Sequence, residues 1–165
     1  MTASFKVLRQ LGAIALTTLC LQAGAQTPPP PYGLSITIEQ AKKAMAAAEA
    51  EARKNNWQVV ISIVDTGGHQ VMLQRLEAQN ASVDIAIGKA RTAVNFRRPT
   101  KALEDSLAAN GSALRILAVP GVMPLQGGLP IIVDGKIIGG IGVSGVTAPQ
   151  DEVVAKAGLD SLLAR

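Results

Sequence analysis

The stretch from Gly127 to Gly145 constrains the fold of this chain more than any other. Its centre is Asp134-Gly135, which lies between two apolar runs, residues 129–133 and 136–143. A two-residue Asp-Gly link needs positive φ values at both central residues. The stretch therefore predicts a type I′ turn and an antiparallel β-hairpin.

Glycines are concentrated in the strands of this hairpin, at positions 128, 139, 140, 142 and 145. Each glycine weakens a strand by about 0.5–1 kcal/mol relative to alanine, so a glycine-rich strand usually marks a close approach by backbone or ligand. We therefore expect the hairpin to form one wall of a pocket, with Gly127, Gly128 and Gly142 beside the ligand.

The first 25 residues have the three parts of a secretory signal peptide. Lys6 and Arg9 supply the charged start, residues 11–21 the apolar core, and residues 23–25 the Ala-Gly-Ala cleavage site. The apolar core has about 11 residues, whereas a membrane-spanning helix needs about 20. We therefore predict cleavage after Ala25 and a periplasmic or secreted protein.

Cleavage would change the composition of the mature chain. It removes Cys20, the one cysteine of the sequence, so the mature protein has no disulfide despite an oxidising destination. It also removes two basic residues, which lowers the formal net charge of +4 by two. Tyr32, Trp57 and Phe96 are the aromatic residues that remain, too few for a surface on which nucleic acid bases stack. We expect neither a nucleic acid nor a membrane as a partner of the mature form.

After the leader, residues 26–34 form a proline-rich spacer and residues 35–165 one domain. Thr37 and Gln40 form a capping box that begins a first helix, which ends near Asn55. Strands follow over residues 57–65 and 69–75, joined by a short loop and therefore antiparallel.

The second half of the domain contains helices on both sides of the hairpin. Ser82 caps a second helix, Thr100 begins a third, residues 114–122 form an apolar loop, and residues 148–163 form the last helix. The order of elements contains no repeated strand-helix-strand unit. We therefore predict an α/β protein of the α+β type, with four strands in a mainly antiparallel sheet covered by helices.

Two catalytic or cofactor motifs are incomplete. Residues 140–145 match G-x-G-x-x-G, but dinucleotide binding also needs a following strand and a more distant acidic residue, and residues 146–165 are predicted to form one helix. Ser144 lacks the G-x-S-x-G context of a hydrolase nucleophile, and a catalytic triad would depend on His69 alone. Neither activity is expected.

His69 is the one histidine of the chain, and a zinc site made by protein side chains alone is therefore not expected. Haem is different, because the porphyrin supplies four nitrogens and the protein need provide one axial ligand. His69 could be that ligand, with Met72, Met123 and Tyr32 as weaker alternatives. The simpler interpretation is a polar residue at the mouth of a hairpin, and the pattern alone favours it.

Four cations stand out by their positions: Arg75, Lys89, Arg91 and Arg98. Arg75 ends a strand, and Lys89 lies in the middle of a helix among small residues, with Thr92 close by as a further candidate contact for a ligand. Cations in such places suit carboxylates, either the propionates of haem or those of a small organic acid. The alternative is a solvated rim with ordinary ion pairs to Glu77 or Asp84.

Three ordered blocks of sequence resemble a known family. They are IVDTGGHQVMLQR at 63–75, SxDIAxxKAxTA at 82–93 with RPT at 98–100, and GGLPIIVDGKIIGGIGVSG at 127–145 with QDE at 150–152. The family is the GlcG/HbpS-like haem-binding family, related to the C-terminal domain of PduO-type proteins. The blocks cover the chain from about Leu34 onward, and Glu77-Ala78 departs from the Asp-Gly that is common in the family.

This resemblance implies a profilin-like three-layer α/β/α sandwich with a central five-stranded antiparallel sheet, one strand more than the pattern of residues predicts. It also implies a homo-oligomer and, for some secreted members, haem binding. Our leading hypothesis is an exported, non-enzymatic haem-binding protein. His69 would be the axial ligand to the metal, and Arg75 and Lys89 would face the propionates.

Two other hypotheses remain open. In the first, the protein is a small-molecule enzyme in which Arg75 and Lys89 hold a carboxylated substrate and Asp65 or Glu77 moves a proton. A small pocket lined by Lys89 and the hairpin glycines would favour it. In the second, the protein is an accessory subunit of an oligomer, with no ligand of its own.

Overall fold

A computed structural model describes residues 28–163. In chain order the elements are α1 (Ile38–Lys54), β1 (Val60–Val64), β2 (Gln70–Arg75), α2 (Ala81–Asn95), α3 (Thr100–Ala108), a 3₁₀ segment (Gly111–Ala118), β3 (Gly128–Val133), β4 (Lys136–Ser144) and α4 (Ala148–Leu163). The predicted signal peptide, residues 1–25, lies outside the described residues. Within them, no helix combines the length and the apolar character needed to cross a membrane.

The four strands form one antiparallel sheet in the order β2-β1-β4-β3. Asp134 and Gly135 have φ values of 48° and 73°, as a type I′ turn requires, and they join β3 to β4. The predicted hairpin, the mixed α/β class and the antiparallel sheet are therefore confirmed.

Helices cover both faces of the sheet. Helices α1 and α4 pack together on one face, where Ile61 and Ile63 of β1 join their apolar core. Helix α2 covers the other face, where Val60 and Val64 contact its alanines and Val94. Because β1 is buried on both faces, its sequence is apolar at nearly every position.

The five-stranded sheet implied by the resemblance is wrong for the described residues, which form four strands. Residues 31–36 run beside the start of β4 in the place of an additional strand, where Gly33 N donates to Ile137 O and Ile137 N donates to Pro31 O. The bridge that results is the parallel pair of Tyr32 and Ile137. Pro31 has no N–H to donate, so it cannot extend the ladder.

Two local predictions in the helical regions are also corrected. Helix α2 begins at Ala81, because Val83 N already donates to Asn80 O, and Ser82 is a buried residue of the first turn instead of its cap. Residues 111–118, part of which the sequence predicts as loop, form the 3₁₀ segment. The capping box of Thr37 and Gln40 is confirmed.

Candidate functional site

The glycines of β3 and β4 allow helix α2 to lie directly on the sheet. A Cβ atom added at Gly142 would overlap with Ala86 O and lie 2.5 Å from Ala90 N, and one at Gly128 would lie 2.5 Å from Lys89 O. Real Cβ atoms do not approach other atoms so closely. In the described part of the chain, helix α2 therefore occupies the space beside these glycines, where the sequence predicts a ligand pocket. The close approach that the glycines allow is made by the backbone of α2.

Lys89 belongs to α2 and forms a buried ion pair. Its Nζ donates to Asp151 Oδ2 at 2.8 Å and to Val143 O at 2.9 Å, and both charged side chains are 3 % exposed. Burial raises the pKa of the Asp151 carboxyl above its ordinary value, and the Lys89 ammonium opposes this rise. The partner of Lys89 is thus neither Glu77 nor Asp84, the acids considered from sequence.

Gly127 completes the surroundings of this pair. Its φ of 116° lies in a region that favours glycine, and a Cβ there would lie 2.8 Å from Asp151 Cβ and 3.0 Å from Lys89 Nζ. Asp151 Oδ1 also accepts from Val146 N at 3.2 Å. The pair therefore joins α2, the end of β4 and the start of α4 in one enclosed contact.

Two buried threonines connect their helices to a loop and to the start of β3. Thr92 Oγ1 of α2 accepts from Met123 N at 2.8 Å, and Thr100 Oγ1 of α3 accepts from Gly128 N at 2.9 Å. Thr92, predicted to contact a ligand, is 2 % exposed and is thus used to position the loop that contains Met123.

His69 lies in the turn between β1 and β2. Asp65 Oδ1 accepts from Gly67 N at 2.8 Å and from His69 N at 2.9 Å, so the carboxylate fixes the backbone of the turn. The His69 side chain is exposed, and its ring makes no hydrogen bond to the described residues. An imidazole in this situation is free to coordinate a metal or a haem iron.

A groove of about 410 Å³, here called the α2 groove, lies near this turn. Its lining is Asp84, Ile87, Gly88, Arg91 and Asn95 of α2 and residues 120–123 of the following loop. Arg91 Nε donates to Gly68 O at 2.9 Å, so a residue of the groove wall contacts the residue that precedes His69. The groove thus combines an arginine, a carboxylate, an amide and apolar side chains, and Arg91 connects it to the turn that contains His69.

A second groove, of about 440 Å³, lies at the other end of β2 and is lined in part by Arg53, Trp57, Arg75 and Glu77. Arg75 Nε donates to Ala78 O at 2.8 Å, and its Nη2 donates to Asn80 Oδ1 at the same distance. Arg75 therefore fixes the loop that follows β2 and keeps one end of its guanidinium available.

The structure separates the residues predicted to form one site. The six residues of β2 between the His69 turn and Arg75 span about 20 Å at the usual rise of a strand. Lys89, with Gly127, Gly128 and Gly142, lies in the interior between α2 and the hairpin. Among the cation and ligand candidates, the fold brings Arg91 together with Met123 in the α2 groove and with the turn that contains His69.

Sequence reasoning missed two participants. Asn95 of the α2 groove carries no signal in the sequence beyond its place on the helix. Asp151 could have been suspected, because a buried lysine needs an acidic partner, but twelve acidic residues compete for that role. Within residues 28–163, no three His, Cys, Asp or Glu side chains come together as a metal site would require.

Residues 36–160 match the profile of the family described as "Haem degrading protein HbpS-like". Among relatives, Protein GlcG of Escherichia coli K12 is 42% identical over 110 residues, which cover 66% of this chain and 81% of GlcG.

Two solved structures share the fold. A double mutant of Streptomyces reticuli HbpS is 34% identical, with a TM-score of 0.74 over 86% of this chain and 95% of that one. The PduOC:heme complex is 28% identical, with a TM-score of 0.71 over 78% of this chain and 95% of that one. These structures confirm the profilin-like three-layer fold that the resemblance implied, and with the match over residues 36–160 they show that the chain belongs to the HbpS-like family.

Proposed function

We propose that this protein binds haem in the α2 groove, with His69 as the axial ligand. The observation that carries the proposal is the free, exposed imidazole of His69 next to Gly68, whose carbonyl is held by Arg91 of the groove. A groove with apolar side chains and few polar groups is typical of cofactor sites.

Apolar residues and an arginine of the groove match the two parts of a haem, and Asp84 is the one acid in the lining. Ile87, Val122 and Met123 offer apolar surface for the porphyrin, and Arg91 offers a guanidinium for a propionate. Bound haem would supply an iron that can take a further ligand and change its oxidation state. Met123, on the opposite wall from α2, is the alternative protein ligand.

In the proposed complex, a haem propionate contacts Arg91 and neither Lys89 nor Arg75. Lys89 already has Asp151 as its partner, and a haem that reached it would have to displace α2 from the hairpin. Arg75 lies about 20 Å along β2 from the His69 turn, farther than the propionates of one haem extend from its iron. Haem binding by a relative of the same fold, PduOC, supports the choice of ligand.

A haemin titration of the mature protein, residues 26–165, tests the proposal. We expect a saturable Soret shift that His69→Ala weakens at least about tenfold, since it removes the axial bond. Arg91→Gln should weaken binding less, and Arg75→Gln, the matched control at the far end of β2, should leave it unchanged. Absence of a saturable shift would contradict haem binding, and equal binding by His69→Ala would contradict the ligand assignment.

We also propose that the protein is exported, non-enzymatic and a homo-oligomer. N-terminal sequencing of protein from the periplasm should start at Gln26, and light scattering should give a mass above that of one chain. The family description names haem degradation, so the Soret band should be followed with ascorbate present. A stable band supports a binding role, and its loss would show that the protein degrades haem.

The small-molecule enzyme is less well supported. Its distinguishing feature is a narrow pocket lined by Lys89 and the hairpin glycines, and neither the α2 groove nor the groove beside Arg75 has such a lining. Asp65, one of its two proposed proton carriers, accepts two backbone hydrogen bonds in the turn before β2.

A further inference from the structure

A third cavity, of about 490 Å³, lies between the end of α2, helix α3 and the 3₁₀ segment. Its apolar lining comes from all three elements: Phe96 follows α2, Leu103 belongs to α3, and Ile116 and Val119 belong to or follow the 3₁₀ segment. The volume is in the range of about 300–1,000 Å³ that small-molecule sites occupy. We call it the α3 cavity.

The charged residues of the α3 cavity are both cations. Arg98 and Arg115 line it, and none of the described residues that line it is acidic. Arg98 Nε donates to Phe96 O at 3.1 Å, which fixes one side of the Arg98 guanidinium. The hydroxyl of Ser106 donates to Ala102 O. An apolar cavity with two uncompensated guanidinium groups attracts a ligand that is both apolar and anionic.

The 3₁₀ segment shows that this region has unused apolar surface. It runs for eight residues, long for a 3₁₀ helix, and none of them is buried. Leu114 and Leu117 are 48% and 59% exposed, and Val119 is 43% exposed. Of these three, Val119 lines the α3 cavity, and a ligand there would cover an apolar side chain that the chain itself leaves partly in water, which is favourable.

The lining also distinguishes the ligand from haem. None of the described residues around the α3 cavity is a His, Met, Tyr or Cys, the side chains that usually coordinate haem iron. We propose that the α3 cavity binds an aliphatic carboxylate, a medium-chain fatty acid. Its carboxylate contacts Arg98 and Arg115, and its hydrocarbon chain lies against Phe96, Leu103 and Ile116.

Calorimetric titration of the full chain with dodecanoate, below its micelle concentration, tests this proposal. We expect saturable binding of one dodecanoate per chain. Dodecanol, which keeps the hydrocarbon chain and lacks the charge, should bind at least about tenfold more weakly, because a hydrogen bond to a charged group is lost. The double variant Arg98→Gln, Arg115→Gln should bind dodecanoate as weakly as the wild type binds dodecanol.

Arg75→Gln is the matched control, since it removes an exposed arginine from a different groove and should leave dodecanoate binding unchanged. No saturable binding, or equal binding of dodecanoate and dodecanol by the wild type, would overturn the proposal. These two ligands are compared on unaltered protein, so that result does not depend on the folding of a variant.

The two proposed sites can be tested separately. Dodecanoate binding should be the same in His69→Ala, and saturating dodecanoate should leave the haemin titration unchanged. Displacement of haemin by dodecanoate would show one shared site and would overturn the assignment to the α3 cavity. A failure of haem binding alone leaves the dodecanoate result intact.

Discussion

Lys89 Nζ lies 2.8 Å from Asp151 Oδ2, and this ion pair joins two helices through residues that are 62 positions apart in the chain. Both side chains are removed from water, so each charge depends on the other and on the surrounding backbone groups. The pair is enclosed by Gly127, whose missing side chain leaves room for it. Its role in this structure is to position α2 and α4 around the end of β4.

Lys89→Met should therefore destabilise the protein by about 3–5 kcal/mol, because it leaves a buried carboxylate without its partner. Lys89→Met combined with Asp151→Leu should recover much of that loss, since an apolar pair leaves no charge buried. Urea unfolding of the three proteins measures both effects. If the single variant were as stable as the wild type, the pair would contribute nothing.

Gly142→Ala should destabilise the protein by at least about 1–3 kcal/mol, the usual cost of overpacking a core. The new methyl group would meet the backbone of Ala86 and Ala90, which cannot move without shifting α2. Gly67→Ala is the matched control, because its methyl group meets mainly the exposed side chain of His69, which can rotate. Equal thermal stability of the two variants would contradict the proposed role of the glycines in helix packing.

Thr92→Val should loosen the loop of the α2 groove while it preserves the shape of the buried side chain. The substitution removes the oxygen that accepts from Met123 N, and an unpaired buried donor costs about 1–3 kcal/mol. Hydrogen exchange should become faster at the Met123 amide. The amide of Val143, which donates to Gly127 O, should keep its protection and serves as the internal reference.

Tyr32→Phe should loosen the attachment of residues 31–36 to the domain. The Tyr32 hydroxyl donates to Val94 O at 2.9 Å, and Arg97 lies over the ring, 5.7 Å from its centroid. Loss of one hydrogen bond costs about 0.5–1.5 kcal/mol, so the segment should be cut more readily by a protease while the melting temperature changes little. An unchanged rate of cleavage would show that the backbone bonds to β4 hold the segment by themselves.

The elements that sequence predicted well are those with local causes. The turn at Asp134-Gly135 and the capping box of Thr37 and Gln40 depend on residues within a few positions of one another, and both are present. Ser82 shows the limit of this reasoning, because α2 already includes the residue predicted as its cap.

The candidate site could be predicted only in part. His69 could be identified from the sequence because it is the one histidine, whereas the structure was needed to show that it is exposed. Arg75 and Lys89 were grouped with it by residue type. Because β2 is extended, Arg75 lies at its far end from the His69 turn, and Lys89 is paired with the buried Asp151.

The glycine-rich hairpin shows which features depend on local sequence and which depend on packing between distant parts of the chain. The sequence alone determined that residues 127–145 form a hairpin and that something must approach it closely, because glycine and the Asp-Gly turn restrict the backbone locally. That the approaching group is helix α2, and that Lys89 is paired with Asp151, follows from the packing of the folded chain. Those contacts join residues far apart in the chain, and their choice depends on how whole helices pack on the sheet.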